Sequence, residues 1–208
     1  MMNSEDVFIL NIETATKNCS VSLAKNGDTI ALREIAEEGY SHAEKLHVFI
    51  EEIIAESKIS FEDLNAIAVS QGPGSYTGLR IGVSSAKGLC YALNIPMIAI
   101  DTLQSLAAQI SISKGIIIPM IDARRMEVFN AIYDKSLNTL KPVSAEIITE
   151  ESYQTNEEEI HFLGDGASKC KEFLHKSNFI FYDEIIYPSA KQMSLLSFEK
   201  YKNSDTVD

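Results

Sequence analysis

Basic side chains are scarce in this sequence. It has four arginines (Arg33, Arg80, Arg124 and Arg125) and a net charge of −12 over 208 residues. No Lys/Arg cluster is present to neutralise a run of phosphates, which excludes a protein that grips nucleic acid unaided. Cysteine is equally sparse. The three thiols, Cys19, Cys90 and Cys170, are odd in number and far apart. They fit neither a disulfide framework nor a C-x-x-C metal spacing, as expected of a chain in a reducing cytosol. No apolar run approaches the roughly 18 residues of a membrane span. The opening MMNSEDVFILNIET has no basic stretch before its short apolar run, so no secretory signal is expected. These absences describe an acidic, cytoplasmic chain with no membrane segment. Hydrophobic residues still make up 45% of it, enough to build real cores.

What is present is a patterned alternation of strands and helices. Val7–Thr14 is a near-continuous apolar run, the mark of a strand buried on both faces. Cys19–Lys25 alternates, with Val21 and Leu23 on one side and Ser20 and Ser22 on the other. Asn26-Gly27 supplies a tight hairpin turn, and Asp28–Ile35 returns as a third strand. Leu46, Phe49, Ile50, Ile53 and Ile54 recur at helical spacing across Ala43–Ser57. A strand over Ala66–Ser70, a helix over Leu79–Leu93, a strand over Pro96–Ile100 and a helix over Thr102–Ser111, capped by Thr102, complete the first half.

The second half repeats this order without repeating the letters. Strands are predicted at Ile116–Ile121, Glu127–Tyr133, Val143–Thr149, Ile160–Leu163 and Phe179–Tyr182. A turn falls at Gly164–Ala167, and helices at Ser168–His175 and within Ser189–Lys202. A Glu-rich run, Glu150–Glu159, stands where the first half has its amphipathic helix and reads as a solvated, flexible face. The last residues, NSDTVD, are expected to fray. Two βββαβα-type lobes in tandem, spanning 1–103 and 104–208, predict a duplicated α/β fold with the second lobe abbreviated.

Three sequence strings carry a family likeness: ILNIETATKNCSVSLAKNG, GPGSYTGLRIGVSSAKGLCYALNIPMIAIDTLQSLA and IDARRMEVFNAIYD. Together they resemble the TsaB (YeaZ) family over most of the chain, most strongly across Phe8–Ala108. The resemblance implies the actin/Hsp70/sugar-kinase fold, in agreement with the duplicated element order. It also implies a subunit without catalytic residues, working in tRNA threonylcarbamoyladenosine formation. Such a subunit pairs with the catalytic protein TsaD, works alongside the TsaE ATPase, forms a homodimer when alone, and meets tRNA only through the complex.

Candidate sites follow from individual residues. TsaD-type proteins hold metal through H-x-x-x-H, but His42 and His47 are five residues apart. On an ideal helix their rings diverge by roughly 140°, so no metal site is expected. In this fold the first hairpin turn touches nucleotide phosphates. That places Glu13, Thr14, Ala15 and Thr16 as a weak nucleotide site, with Glu13 where many relatives carry Asp, and ATP or ADP at a partner boundary as the only cofactor in view. The Asp122–Arg124 turn and Gly164–Ala167 are the corresponding candidates in the second lobe, with an Asp122–Arg124 ion pair as a further expectation. An ATP-dependent phosphotransferase and, more remotely, a metallopeptidase are the alternative functions.

The loop Gly72-Pro73-Gly74-Ser75-Tyr76-Thr77-Gly78, followed by Arg80, is not a phosphate-binding Walker loop, for it lacks G-K-[ST] and any lysine. Its glycines permit close backbone approach, and Arg80 is expected to face an acidic group. The helix it launches buries Leu79, Gly82, Val83, Ala86, Leu89, Cys90 and Leu93. Its opposite face, Ile81, Ser84, Ser85, Gly88 and Ala92, is almost entirely small. A helix without a wide charged face is usually covered on both sides. Either Ala43–Ser57 or a partner protein covers this one. The resemblance favours a partner surface made by both helices, with His47 included.

Overall fold

The computed structural model describes residues 6–36, 42–154 and 158–207. Two units emerge: Met1–Asp101 together with Ser189–Asp208, and Thr102–Pro188.

In the first unit, β1 (Phe8–Glu13) pairs antiparallel with β2 (Cys19–Lys25), which pairs antiparallel with β3 (Asp28–Ile35). On its other side β1 runs parallel to β4 (Leu64–Ser70), which runs parallel to β5 (Met97–Ile100). The sheet order is β3-β2-β1-β4-β5. Because strand side chains alternate, Leu10, Ile12, Val21, Leu23, Ile67 and Val69 face one side. There they meet Leu46, Ile50 and Ile53 of α1 (His42–Ser57) and Ala86 of α2 (Tyr76–Leu93). Helix α2 stops where Asn94 turns left-handed, at φ 54°.

The other side of this sheet is not solvent. Ile9, Ala66, Ala68, Ile98 and Ile100 are covered by Ala190 and Met193 of α5 (Ala190–Lys202). Ser20 and Ser22, the polar half of β2's alternation, lie fully buried beneath it. The Ser22 hydroxyl donates to the Ala190 carbonyl at 2.8 Å, and the Ala190 amide donates to Ser20 Oγ at 3.0 Å. Ser189 caps the helix and also donates to Glu34 Oε2 at 2.7 Å. Small hydroxyls are therefore the strand residues on which the first turn of α5 seats. The boundary expected at residues 1–103 and 104–208 is corrected accordingly, since Ser189–Asp208 complete the first unit. Nor does the tail fray as far as Val207, whose amide donates to the Met97 carbonyl at 2.9 Å, along the edge of β5. Asp208 lies outside the described residues.

The second unit has the same wiring. The strands β6 (Ile116–Asp122), β7 (Glu127–Tyr133), β8 (Thr139–Ile147), β9 (Ile160–Leu163) and β10 (Phe179–Tyr182) lie in the order β8-β7-β6-β9-β10. Helix α3 (Thr102–Ala107), which ends four residues before the expected Ser111, packs Leu103, Leu106 and Ala107 on one face. Helix α4 (Asp165–Cys170) packs Ala167 and Cys170 on the other. Strand β8 begins earlier than expected and carries Pro142, which an edge strand tolerates. Where the first unit has α1, the second has a hydrogen-bonded turn over residues 149–154. Its Tyr153 ring packs on Phe162, centroids 5.6 Å apart. Residues 155–157 of the Glu-rich run lie outside the described residues.

The cover supplied by α5 makes a measurable distinction. Met193→Ala should lower unfolding free energy by about 2–4 kcal/mol, the cost of a core cavity. Leu195→Ala, on the exposed side of the same helix, should stay within about 0.5 kcal/mol. Urea titrations of the two variants check this.

Candidate functional site

The residues predicted to matter in the first unit converge at one place. The turn after β1 carries Glu13, Thr14, Ala15 and Thr16, all buried, and the glycine-rich loop lies directly on it. A Cβ at Gly74 would stand 2.2 Å from the Ala15 carbonyl oxygen, and one at Gly78 would stand 2.1 Å from that of Thr14. At Gly82 it would stand 2.3 Å from Thr14 Oγ1. Real Cβ atoms do not approach oxygen so closely. Glycines at every fourth position, from the loop into α2, form a track on which the turn rests, by its backbone at Gly74 and Gly78 and by the Thr14 hydroxyl at Gly82.

Hydrogen bonds fix the contact. The Ser75 amide donates to the Ala15 carbonyl at 2.6 Å, and the Thr14 hydroxyl donates to the Gly78 carbonyl at 2.8 Å. The hydroxyl of Ser75, as N-cap, accepts from the Gly78 amide at 3.2 Å, satisfying one of the free donors of the helix start. Helix α1 joins the same turn, for His42 Nε2 donates to the Thr16 carbonyl at 2.8 Å. Pro73, in a cis peptide with Gly72, and Tyr76 and Thr77 lead the chain from β4 into α2. The role of His42 as a latch between α1 and the turn is not visible in the sequence, where it reads as a helix-start residue.

Glu13 is the electrostatic feature of the turn. Its Oε1 accepts the Ala15 amide at 2.7 Å, and the Thr14 amide and Ser70 hydroxyl also lie toward the carboxyl. Burial pushes its carboxyl up to about 7, against the opposing pull of the Ala15 and Thr14 amides and the Ser70 hydroxyl. Burial likewise pushes the neighbouring Cys19 thiol up to about 11, with the Glu13 charge a lesser cause.

The outward face of α2 is open. Ser84, Gly88 and Ala92 are exposed, and among the described residues nothing lies within 4 Å of a Cβ placed on Gly88. Of the two covers considered for this face, the chain's own helix α1 does not supply it. That helix reaches it only at the near edge, where His47 Nε2 lies 3.4 Å from Ser85 Oγ. A shallow groove between the helices is lined by His47, Tyr76, Arg80, Ile81, Ser84 and Ser85. Among the described residues Arg80 pairs with no acid; its guanidinium stacks over the Tyr76 ring at 4.6 Å, a cation–π contact one helical turn long. Tyr91 stands at the far end, 92% exposed.

The second unit repeats the seating in miniature. A Cβ at Gly164 would stand 2.2 Å from the Met120 carbonyl oxygen, and one at Gly166 would stand 3.0 Å from the backbone of β6. Gly164–Ala167 thus docks α4 on β6, as Gly74–Gly82 docks α2 on the β1 turn. Asp165 Oδ1 accepts the Asp122 amide at 2.9 Å. The ion pair expected between Asp122 and Arg124 is corrected: the hydrogen bond from Arg124 comes from its backbone amide, at 2.8 Å, and the ion pair is with Lys169. Burial works against ionisation of Asp122, but the Lys169 ammonium, the Arg124 amide and the Arg124 charge together hold the carboxyl low. Among the described residues no group of three His, Cys, Asp or Glu side chains is placed to hold a metal ion.

With the geometry in view, comparison with known proteins becomes informative. A family model described as TsaD, tRNA N6-adenosine threonylcarbamoyltransferase, matches residues 34–200. The tRNA threonylcarbamoyladenosine biosynthesis protein TsaB of Escherichia coli K12 is 32% identical over 212 residues, covering 96% of this chain and 89% of that protein. The chain belongs to the TsaB (YeaZ) family. The TsaB of Haemophilus influenzae is 26% identical, over 98% of this chain and 90% of its own length. Among solved structures, YeaZ from Pseudomonas aeruginosa superposes with a TM-score of 0.84 at 21% identity, covering 97% of this chain and 95% of that one. The ethanolamine utilization protein EutJ of Carboxydothermus hydrogenoformans gives 0.52 at 9% identity, over 91% and 89%. These neighbours place the chain in the actin/Hsp70/sugar-kinase fold.

For this TsaB-family chain the two kinds of α2 glycine should respond oppositely to one added methyl group. Gly78→Ala must push the β1 turn away and should cost about 3 kcal/mol or more. Gly88→Ala should add about 0.5–1 kcal/mol, because it removes a helix-interior glycine without meeting a neighbour. Thermal or urea unfolding of the pair measures the contrast.

Proposed function

We propose that this chain is a non-catalytic subunit in the threonylcarbamoylation of tRNA adenosine, acting by binding and stabilising TsaD, with TsaE as the further component. Its family membership supports the pathway, through the printed names of its TsaB relatives. The observation that carries the subunit reading is the seating of the glycine track on the β1 turn. The Thr14 hydroxyl is bonded to Gly78 and the turn is buried, so the groups a phosphotransferase would aim at phosphate serve instead to hold two helices. What those helices present is an open face of small residues between two exposed tyrosines, Tyr76 and Tyr91. Small side chains allow close approach of another helix, and tyrosines supply contact area with a polar end. Without TsaD, the same face pairs two copies of the chain. With a net charge of −12, the subunit leaves the tRNA phosphates to its partners.

Gly88→Arg tests the surface directly. The side chain has open space in the isolated chain, so the variant should fold with a wild-type circular dichroism spectrum. Its association with TsaD should weaken at least about a hundredfold in calorimetry, the loss expected from a bulky charge at the centre of an interface. Wild-type affinity in the variant, or steady ATP turnover by the isolated chain that Thr14→Ala abolishes, would overturn the reading.

A further inference from the structure

Four strands end the two sheets, β3 and β5 in one and β8 and β10 in the other. Three of these edges are blunted. Strand β3 carries an extra residue, Ile30, between its pairings with Leu23 and Ala24, a bulge of the kind that turns an edge away from further pairing. On β5 the Val207 amide takes the Met97 carbonyl. In β8, Pro142 and Val143 together stand opposite the single residue Ala131, which again spoils an edge. Strand β10 has none of these devices. Its Phe179-Ile180-Phe181-Tyr182 pairs with Ile160–Leu163 without a shift, and every residue is aromatic or β-branched, the types that favour a strand. Among the described strands only β9 lies beside it.

The phase of that pairing says which backbone groups are left over. The Ile160 amide donates to the Asn178 carbonyl at 2.9 Å. In a parallel ladder, Asn178, Ile180 and Tyr182 therefore turn their backbone groups to β9, and Phe179 and Phe181 turn theirs outward. The Phe179 amide is taken by the Lys176 carbonyl at 3.0 Å. The Phe179 carbonyl and both backbone groups of Phe181 are left facing outward. The side chains of these two residues flank Phe162, with centroids 5.3 and 5.0 Å away. With Leu174, His175 and Lys176 they line a shallow groove beside the edge.

We propose that β10 is a self-association edge, on which a second copy of this chain lays its own β10 antiparallel, with the two-fold axis at Ile180. The charge pattern selects this occupant and this register. Lys176 precedes the strand, and Asp183 and Glu184 follow it. Asp183 is already held by Lys171 at 2.5 Å, whereas Glu184 is exposed. A two-fold axis at Ile180 sets Lys176 of each copy opposite Glu184 of the other. The Lys176 ammonium rests on the Gln154 carbonyl at 2.7 Å, and an ammonium has three protons to give. The same axis sets Phe179 opposite Phe181, so that each Phe181 amide donates to the second copy's Phe179 carbonyl and the rings form two cross-strand aromatic pairs.

Other arrangements lose these contacts. A parallel second copy would set lysine beside lysine and glutamate beside glutamate. Moving the axis to Phe181 would set Lys176 opposite Ile186. The self-complementary pattern is what an isologous two-fold contact requires. The contact uses no residue of α1 or α2, so, on the TsaD reading above, a pair joined in this way brings two TsaD-binding faces into one assembly.

Gly88→Arg supplies the background for the test, because it closes the α2 face to a second copy. Sedimentation equilibrium of that protein should show exchange between monomer and dimer. Glu184→Lys and Lys176→Glu, each added alone, should raise the dimer dissociation constant about tenfold, since one substitution reverses two symmetry-related pairs. The two together exchange the signs and should bring the constant back to within about threefold of its starting value. Ile180→Cys places a thiol opposite its own copy in a non-hydrogen-bonded pair, where Cα atoms lie about 4.5 Å apart, within disulfide range. Oxidised with glutathione disulfide, it should give a covalent dimer that the background protein does not. If Ile180→Cys does not fold, the exchange of signs decides alone. A monomer at every concentration up to about 1 mM, or a dissociation constant indifferent to the charge variants, would sink the proposal. So would a crosslink from position 180 to TsaD in place of a second copy, which assigns the edge to TsaD. Failure of TsaD to bind the α2 face removes the functional reading and leaves the crosslink and the exchange of signs to decide the edge.

Discussion

The contact on which the first unit depends is one of backbone against backbone. The turn after β1 rests on a track of glycines along α2, at separations that no side chain would allow. Everything the unit offers to its surroundings is referred to that contact. Helix α2 starts there, capped by Ser75, and α1 is latched there by His42. A close approach of this kind excludes water, so the polar groups trapped in it must find partners among themselves. Thr14 does so with Gly78, Ser75 with Ala15, and Glu13 with the amide of Ala15. Rigidity at the base is what allows the outer face of α2 to stay small and open, since its position does not rely on packing from that side.

Much of this was legible in the order of the residues. Alternation in β2, helical spacing in α1 and the Asn26-Gly27 hairpin are local signals, and the elements they predict lie where they point. The repeated wiring of the two sheets was readable because a β-meander followed by alternating helices and strands has few sensible topologies. The glycine string announced close approach, but not what approached it. The β1 turn lies some sixty residues earlier in the chain, and no local pattern names a partner at that distance. What the serines of β2 face was hidden for a related reason. A strand with one polar side normally faces water, and only the arrival of α5 from the other end of the chain shows that hydroxyls were chosen for their size and for their bonds to a helix start. The same return of α5 is why a boundary near residue 103 could be placed from element order while the ownership of Ser189–Asp208 could not.

The candidate site was read at the right positions and with partly different roles. Thr14 and Glu13 stand where nucleotide-binding relatives of the fold meet phosphate, yet here the hydroxyl and the carboxyl face inward. Arg80 was matched to an acid by charge alone, whereas the residue one turn before it is an aromatic ring, and stacking over Tyr76 costs less desolvation than a buried ion pair. Asp122 and Arg124 are close in sequence, but the left-handed backbone at Arg124 and Arg125 carries their side chains around a turn, and Lys169 takes the carboxylate.

The crossing of helices between the halves has a consequence for biosynthesis. Helix α3 follows β5 but completes the second sheet, and α5 follows β10 but completes the first. A nascent chain emerging from the ribosome therefore carries its first sheet with one side bare until α5 is translated, after the whole of the second sheet. The strands made first wait for a helix made much later.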